Sequence, residues 1–120
     1  MDIPANAIHY LEIVTPDVEA TRLLYATAFG WRFQAPVPEL GNAVVAPLPG
    51  GSLCGIRAPL HESELPVVRI YIRVADLEAT TREAERLGAK ILLESMDLAG
   101  WGRISIHEWG GIQQGLWQVP

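Results

Sequence analysis

Two short runs carry residues that could do chemistry from one face of a strand. In Arg69-Ile-Tyr-Ile-Arg73, Arg69, Tyr71 and Arg73 alternate with Ile70 and Ile72. That period of two puts three polar groups on one side of a strand. Two guanidinium groups so placed can grip a carboxylate in bidentate fashion. In Tyr10-Leu-Glu-Ile13, Tyr10 and Glu12 share a face if Leu11 and Ile13 point the other way, as Ile70 and Ile72 do. A carboxylate beside a phenol is suited to proton transfer, so Glu12 and Tyr10 are the candidate catalytic residues. The Thr15-Pro16 turn leaves the register open by one residue, and the other register presents His9 instead of Tyr10. A shift of one flips every side chain to the opposite face. A duller use of the same groups is an internal ion pair between Glu12 and Arg69 or Arg73.

The remaining candidates lie further along. Of four tryptophans, Trp101, Trp109 and Trp117 cluster toward the end of the chain. Most tryptophans fill cores, but Trp101, in Ala-Gly-Trp-Gly, has the setting of a loop that touches a ligand. His107 and Glu108 resemble an acid–base pair, yet neighbouring strand residues face opposite ways, so His107 is a candidate ligand contact on its own. His61, between polar residues of a connector, reads as solvated. Cys54 has no base in its vicinity to make it a nucleophile. The glycine pairs Gly50-Gly51 and Gly110-Gly111 read as hairpin turns and open no helix, so no phosphate loop is present.

The elements that must position these groups occur twice. Residues 69–88 read as strand, turn and helix, with Asp76 at the N-cap, Leu77, Ala84 and Leu87 on the buried side and Gly88 closing the helix. Residues 8–30 repeat the unit: a strand over 8–14, Asp17 at the turn, a helix over about 18–29, and Gly30. Asp17-Val-Glu-Ala-Thr matches Asp76-Leu-Glu-Ala-Thr at an offset of 59, and Gly50-Gly51 with Gly55 matches Gly110-Gly111 with Gly115 at 60. This is an internal duplication of two copies, too few for a solenoid. Further strands are expected from Trp31 to Gln34, where Pro36 and Pro38 break the strand or force it to an edge, and over 41–47, 52–58, 90–94, 103–108 and 113–119. Each half is then one strand, one helix and three more strands. The whole is a single domain: module 1 over about 7–60, a proline-flanked connector over 59–66, and module 2 over about 67–120.

Composition narrows the function classes. The chain has 120 residues, 49% of them apolar, and a net charge of −5. That suits one folded core and disfavours nucleic acid, which needs a basic surface. A lone cysteine forms no internal disulfide and fits a reducing compartment. No signal peptide and no membrane-length apolar run are visible, so a cytoplasmic location with no membrane partner is expected.

The βαβββ order, the duplication and the runs Glu12-Ile13, Asp17, Tyr25, Phe29-Gly30-Trp31 and Gly115-Leu116-Trp117-Gln118 resemble the vicinal oxygen chelate superfamily. This superfamily includes glyoxalase I, extradiol dioxygenases, methylmalonyl-CoA epimerase and the bleomycin resistance proteins. The pattern is most similar to glyoxalase-like members that lack the metal ligands. The resemblance implies an α+β fold of two tandem βαβββ modules related by pseudo-two-fold symmetry, with curved mixed sheets forming a cup, and a homodimer. Metal ligands in the superfamily come from the first and last strands of each half. Those positions fall here on Gly55 and Gly115, which have no side chain, on Arg69, a cation, and on Tyr10 or His9. At most one ligand of four survives, whereas divalent metals usually take three or more. The resemblance therefore implies no metal and no cofactor. Gly55 and Gly115 would vacate the centre of the cup for a small-molecule ligand, or would instead let strands close upon it. Arg69, Tyr71, Arg73, Trp101, His107 and Trp117 are the expected contacts. Two functions follow: a metal-independent binding protein that holds an organic ligand, or a metal-free lyase, isomerase or epimerase in which Glu12 or Tyr10 moves a proton and Arg69 or Arg73 holds an anionic substrate.

Overall fold

The computed structural model describes residues 3–120 and has an α+β architecture that divides into two compact units. One comprises Tyr10–Val68, the other Ile3–His9 together with Arg69–Pro120. The start of the first strand, up to His9, groups with the second unit. No helix among the described residues is long and apolar enough to cross a membrane.

In the first module, β1 (Ile8–Val14) leads into α1 (Val18–Phe29), followed by β2 (Val44–Pro47) and β3 (Leu53–Arg57). β3 pairs with β1 in parallel and with β2 antiparallel. The parallel pairing becomes possible because α1 intervenes, as a crossover connection requires. Ile13, Cys54 and Ile56 form the buried core, and Leu11, Val18 and Tyr25 pack against it. Leu11 and Ile13 therefore lie toward the helix, and Tyr10 and Glu12 on the other face.

The strand expected over Trp31–Gln34 does not form. That stretch is extended but holds the sheet by one hydrogen bond, from Gln34 N to the Val45 carbonyl, and by an isolated bridge between Val37 and Ala43. A 3-10 turn at Pro38–Leu40 follows. The two prolines cannot donate to a ladder. Trp31 instead stacks on Tyr25, with ring centroids 5.4 Å apart and planes within 7°, and also meets Phe29. Aromatic packing onto the helix fixes what backbone pairing does not.

The second module runs β4 (Val67–Arg73), α2 (Leu77–Arg86), β5 (Lys90–Leu98), β6 (Gly102–Trp109) and β7 (Ile112–Gln118). β4 pairs in parallel with β7, which pairs antiparallel with β6, and β6 with β5. Asp76 caps α2, its carboxylate accepting from Ala79 N at 3.0 Å. Leu77 and Thr81 form its buried stripe, and the Thr81 hydroxyl meets Ser105 of β6 at 2.9 Å. The Gln118 side-chain carbonyl accepts from Leu77 N, which ties β7 to the start of the helix. Leu87, expected on the buried side, is 57% exposed, because the helix ends at Arg86 and Gly88 turns the chain away with φ of +108°.

Candidate functional site

The strand registers decide which side chains share a face. In the first module Glu12 lies opposite Gly55, Tyr10 opposite Leu53 and Val14 opposite Arg57. Tyr10, Glu12, Gly55 and Arg57 therefore sit on one side of the sheet, away from the helix. Glu12 accepts from Arg57 Nε at 3.0 Å. The other end of the same guanidinium grips Glu64 in bidentate fashion, at 2.9 and 2.7 Å, and donates to the Ala58 carbonyl. Glu64 also accepts from Leu60 N at 2.7 Å. The Arg57 hydrogen bonds, reinforced by the one from Leu60 N, draw the Glu64 carboxyl down to about 2. Burial opposes the Arg57 charge, but Glu64 and Glu12 outweigh it and hold the guanidinium proton above the ordinary arginine value. Sequence reasoning missed Arg57. It lies 45 residues from Glu12, and only the parallel register brings the two together.

In the second module Tyr71 lies opposite Gly115, and Arg73 opposite Trp117. Arg69, Tyr71, Arg73, Gly115 and Trp117 thus share the face away from α2. Arg69 Nη2 donates to the Gln113 side-chain carbonyl at 2.6 Å, and Arg73 donates to the Ile3 carbonyl. Tyr71 meets Trp117 edge to face, with centroids 5.5 Å apart and an 83° angle. Trp117 Nε1 donates to the Trp101 carbonyl at 2.8 Å, so the β5–β6 turn is held by the indole beneath it. His9 packs its ring 5.1 Å from that of Trp117. Burial, then the charge of Arg73, keeps His9 below the usual histidine range.

The two glycines are roofed by tyrosine. A Cβ built on Gly55 would lie 1.5 Å from Tyr10 Oη, and one on Gly115 would lie 2.1 Å from Tyr71 Cδ2. The space that a missing side chain leaves is filled within each module by an aromatic ring. The expectation that Gly55 and Gly115 simply vacate room is corrected accordingly: glycine is needed there so that the ring can lie against the backbone.

His107 departs from the expected set. It pairs with Gln114, one step out of phase with the pairing of Ile106 and Gly115. It therefore faces α2, on the opposite side of the sheet from Tyr71 and Trp117, and burial lowers its pKa. Cys54 is completely buried on the helix side, and desolvation pushes its thiol up to about 11, the reverse of what a nucleophile needs. His61 is exposed, its Nδ1 within 2.6 Å of the Ser63 hydroxyl. Among the described residues, no group of three or more His, Cys, Asp or Glu side chains gathers to hold a metal ion.

This geometry can be set beside known proteins. No family model matches the chain. CFP32 of Mycobacterium tuberculosis, provisionally named a glyoxylase, is 29% identical over 125 aligned positions that include 92% of this chain. The chain spans about half the length of that relative, 45% of it. A glyoxylase-like domain-containing protein of Didymella fabae is 31% identical over 94 positions, covering 73% of each chain. Among solved structures, methylmalonyl-CoA epimerase from Mycobacterium tuberculosis superposes with a TM-score of 0.77 over 100% of this chain and 93% of its own, at 19% identity. That likeness shows the fold. The fold and the Didymella relative together place this chain in the glyoxylase-like family of the vicinal oxygen chelate superfamily.

Proposed function

We propose that this chain is a metal-independent small-molecule-binding protein of the glyoxylase-like family. One observation carries the reading: the last-strand positions Gly55 and Gly115 offer no donor atom and lie beneath tyrosine rings. A first-row or alkaline-earth cation needs several oxygen, nitrogen or sulfur ligands at once. Each module instead presents hydrogen-bonding and aromatic groups on the sheet face away from its helix. The second carries Arg69, Arg73, Tyr71 and Trp117, with Trp101 at the turn. Tyr71 and Trp117 are buried against each other, so the partly exposed Trp101 is the ring left to meet an anionic or carbonyl-bearing organic molecule beside the arginines. The first supplies Tyr10 and Glu12. His107, turned toward α2, is left out of this set.

The second reading, a metal-free lyase, isomerase or epimerase, draws on Glu12 and on the solved neighbour named as an epimerase. In that reading Glu12 or Tyr10 moves the proton while Arg69 or Arg73 holds the substrate. The hydrogen bond from Arg57 already engages one Glu12 oxygen, which favours binding over proton transfer.

A native mass spectrum of the purified protein tests the proposal. The expected result is a metal-free homodimer with an organic mass retained. A stoichiometric divalent metal would sink it. With the retained molecule identified, Glu12→Gln separates the two readings. A binder keeps its affinity, whereas an enzyme that relies on Glu12 loses turnover while binding stays nearly intact.

A further inference from the structure

The second module carries a cleft on its helix side that the proposed function does not use. It lies between the end of α2 and the β6–β7 hairpin and encloses about 350 Å³. Ala84 and Ala89 line it, with Leu87, Trp109 and Ile112 as its exposed apolar walls. These three wall residues are 57%, 57% and 71% exposed, an unusual display of large apolar side chains around one concavity. Trp109 Cζ3 lies 3.4 Å from where a Cβ on Gly88 would stand, so the edge of the indole rests against the backbone while over half of the residue stays exposed.

The polar groups of the cleft are His107 and Gln114, which face each other across β6 and β7. His107 Nδ1 is sealed from water and has no hydrogen-bond partner. A buried N–H without an acceptor is rarer than a buried lone pair without a donor. The proton therefore belongs on Nε2, which makes the neutral ring a donor through that atom. No lining side chain carries a fixed charge. The volume falls at the lower end of ligand-sized cavities.

We propose that this cleft is a second binding site, for a neutral, flat molecule of one or two rings whose carbonyl oxygen accepts from His107 Nε2–H while its ring stacks on Trp109. The site is on the opposite face of the module's sheet from Tyr71 and Trp117, so it stands or falls separately from the function proposed above. A depression with polar donors among apolar walls fits a small carbonyl compound better than it fits a flat partner surface, which would match the exposed rim but leave the imidazole unanswered.

The test titrates prodan, a neutral naphthyl ketone dye, into the full chain labelled with nitrogen-15. The four tryptophan indole N–H signals report where it binds. The expected result is saturable one-to-one binding with blue-shifted emission, a shift of the Trp109 signal, and no shift of Trp117, whose N–H is held by the Trp101 carbonyl. His107→Phe keeps the ring volume and removes the donor. It should weaken binding about five- to tenfold, the loss of one net hydrogen bond. The wild-type signals locate the dye even if that variant fails to fold. Saturable binding that moves Trp117 and spares Trp109, or no saturable binding at all, overturns the proposal. So does a self-association that Ile112→Arg abolishes while the dye never binds, which would assign the cleft to a second copy of the chain.

Discussion

Gly115→Ala drives a methyl group into the Tyr71 ring, whose carbons lie 2.1 to 2.7 Å from the position the Cβ must take. The ring is buried and wedged against Trp117, so it cannot swing aside freely. The substitution should destabilise the protein by about 1–3 kcal/mol in urea unfolding, the usual range for an overpacked core. Combined with Tyr71→Ala, the double variant should lose less stability than the sum of the two single changes, because the clash belongs to the pair and not to either residue. Cys54 makes the opposite case. Its thiol is fully buried and pushed up to about 11, so a thiol reagent at neutral pH should leave it untouched until the protein unfolds. The alternation of Arg69, Tyr71 and Arg73 with two isoleucines was readable directly, since a strand repeats every two residues. The glycines could be read as places without side chains, but not as seats for tyrosine rings. Whether a ring reaches across to the next strand depends on strand register, which no local pattern encodes. Glu12 was visible as a charge on an exposed-looking alternation, while its partner Arg57 appeared as one more polar residue at the end of a strand.

At the scale of elements, the two helices show how far a repeated motif guarantees repeated physics. Asp17 and Asp76 stand at matching places in sequence. The Asp76 carboxylate accepts from Ala79 N, whereas Asp17 makes no side-chain cap bond and its own N–H donates to the Thr15 hydroxyl. Asp76→Ala should therefore cost about 1 kcal/mol of stability. Asp17→Ala should cost no more than about 0.5 kcal/mol, as for a surface change away from any specific contact. Equal losses in chemical denaturation would contradict this difference. The spans of β1 and α1 could be read from the sequence to the residue, because period, turn and closing glycine agree there. The extended segment after α1 could not. Trp31 and Phe33 alternate like a strand, yet the prolines that follow remove ladder donors and the aromatic rings prefer the helix. β5 exceeds its expected span, running to Leu98, because register shifts beyond Ile91 and Leu93 let an irregular strand continue where simple alternation fades.

For the molecule as a whole, the Glu12–Arg57–Glu64 chain links acid stability to one group. The Glu64 carboxyl is drawn from the usual value of 4.5 down to about 2. A carboxylate depressed in the folded state contributes its full stability above its unfolded pKa and loses it as the pH falls toward the folded one. Stability should accordingly decline between pH 4.5 and 2, by about 1–2 kcal/mol from this group after solvent screening. Glu64→Gln should lower stability at pH 7 and flatten that decline. A wild-type and a variant curve of the same slope would show that Glu64 is not the responsible group. The roofing of Gly55 and Gly115 reaches further, into the routes by which such a sequence can change. A carboxylate introduced at either glycine would collide with its tyrosine, so a longer side chain could stand there only with removal of that ring in the same step. Each tyrosine thus acts as a lock on the sequence: the glycine and the ring can change only together.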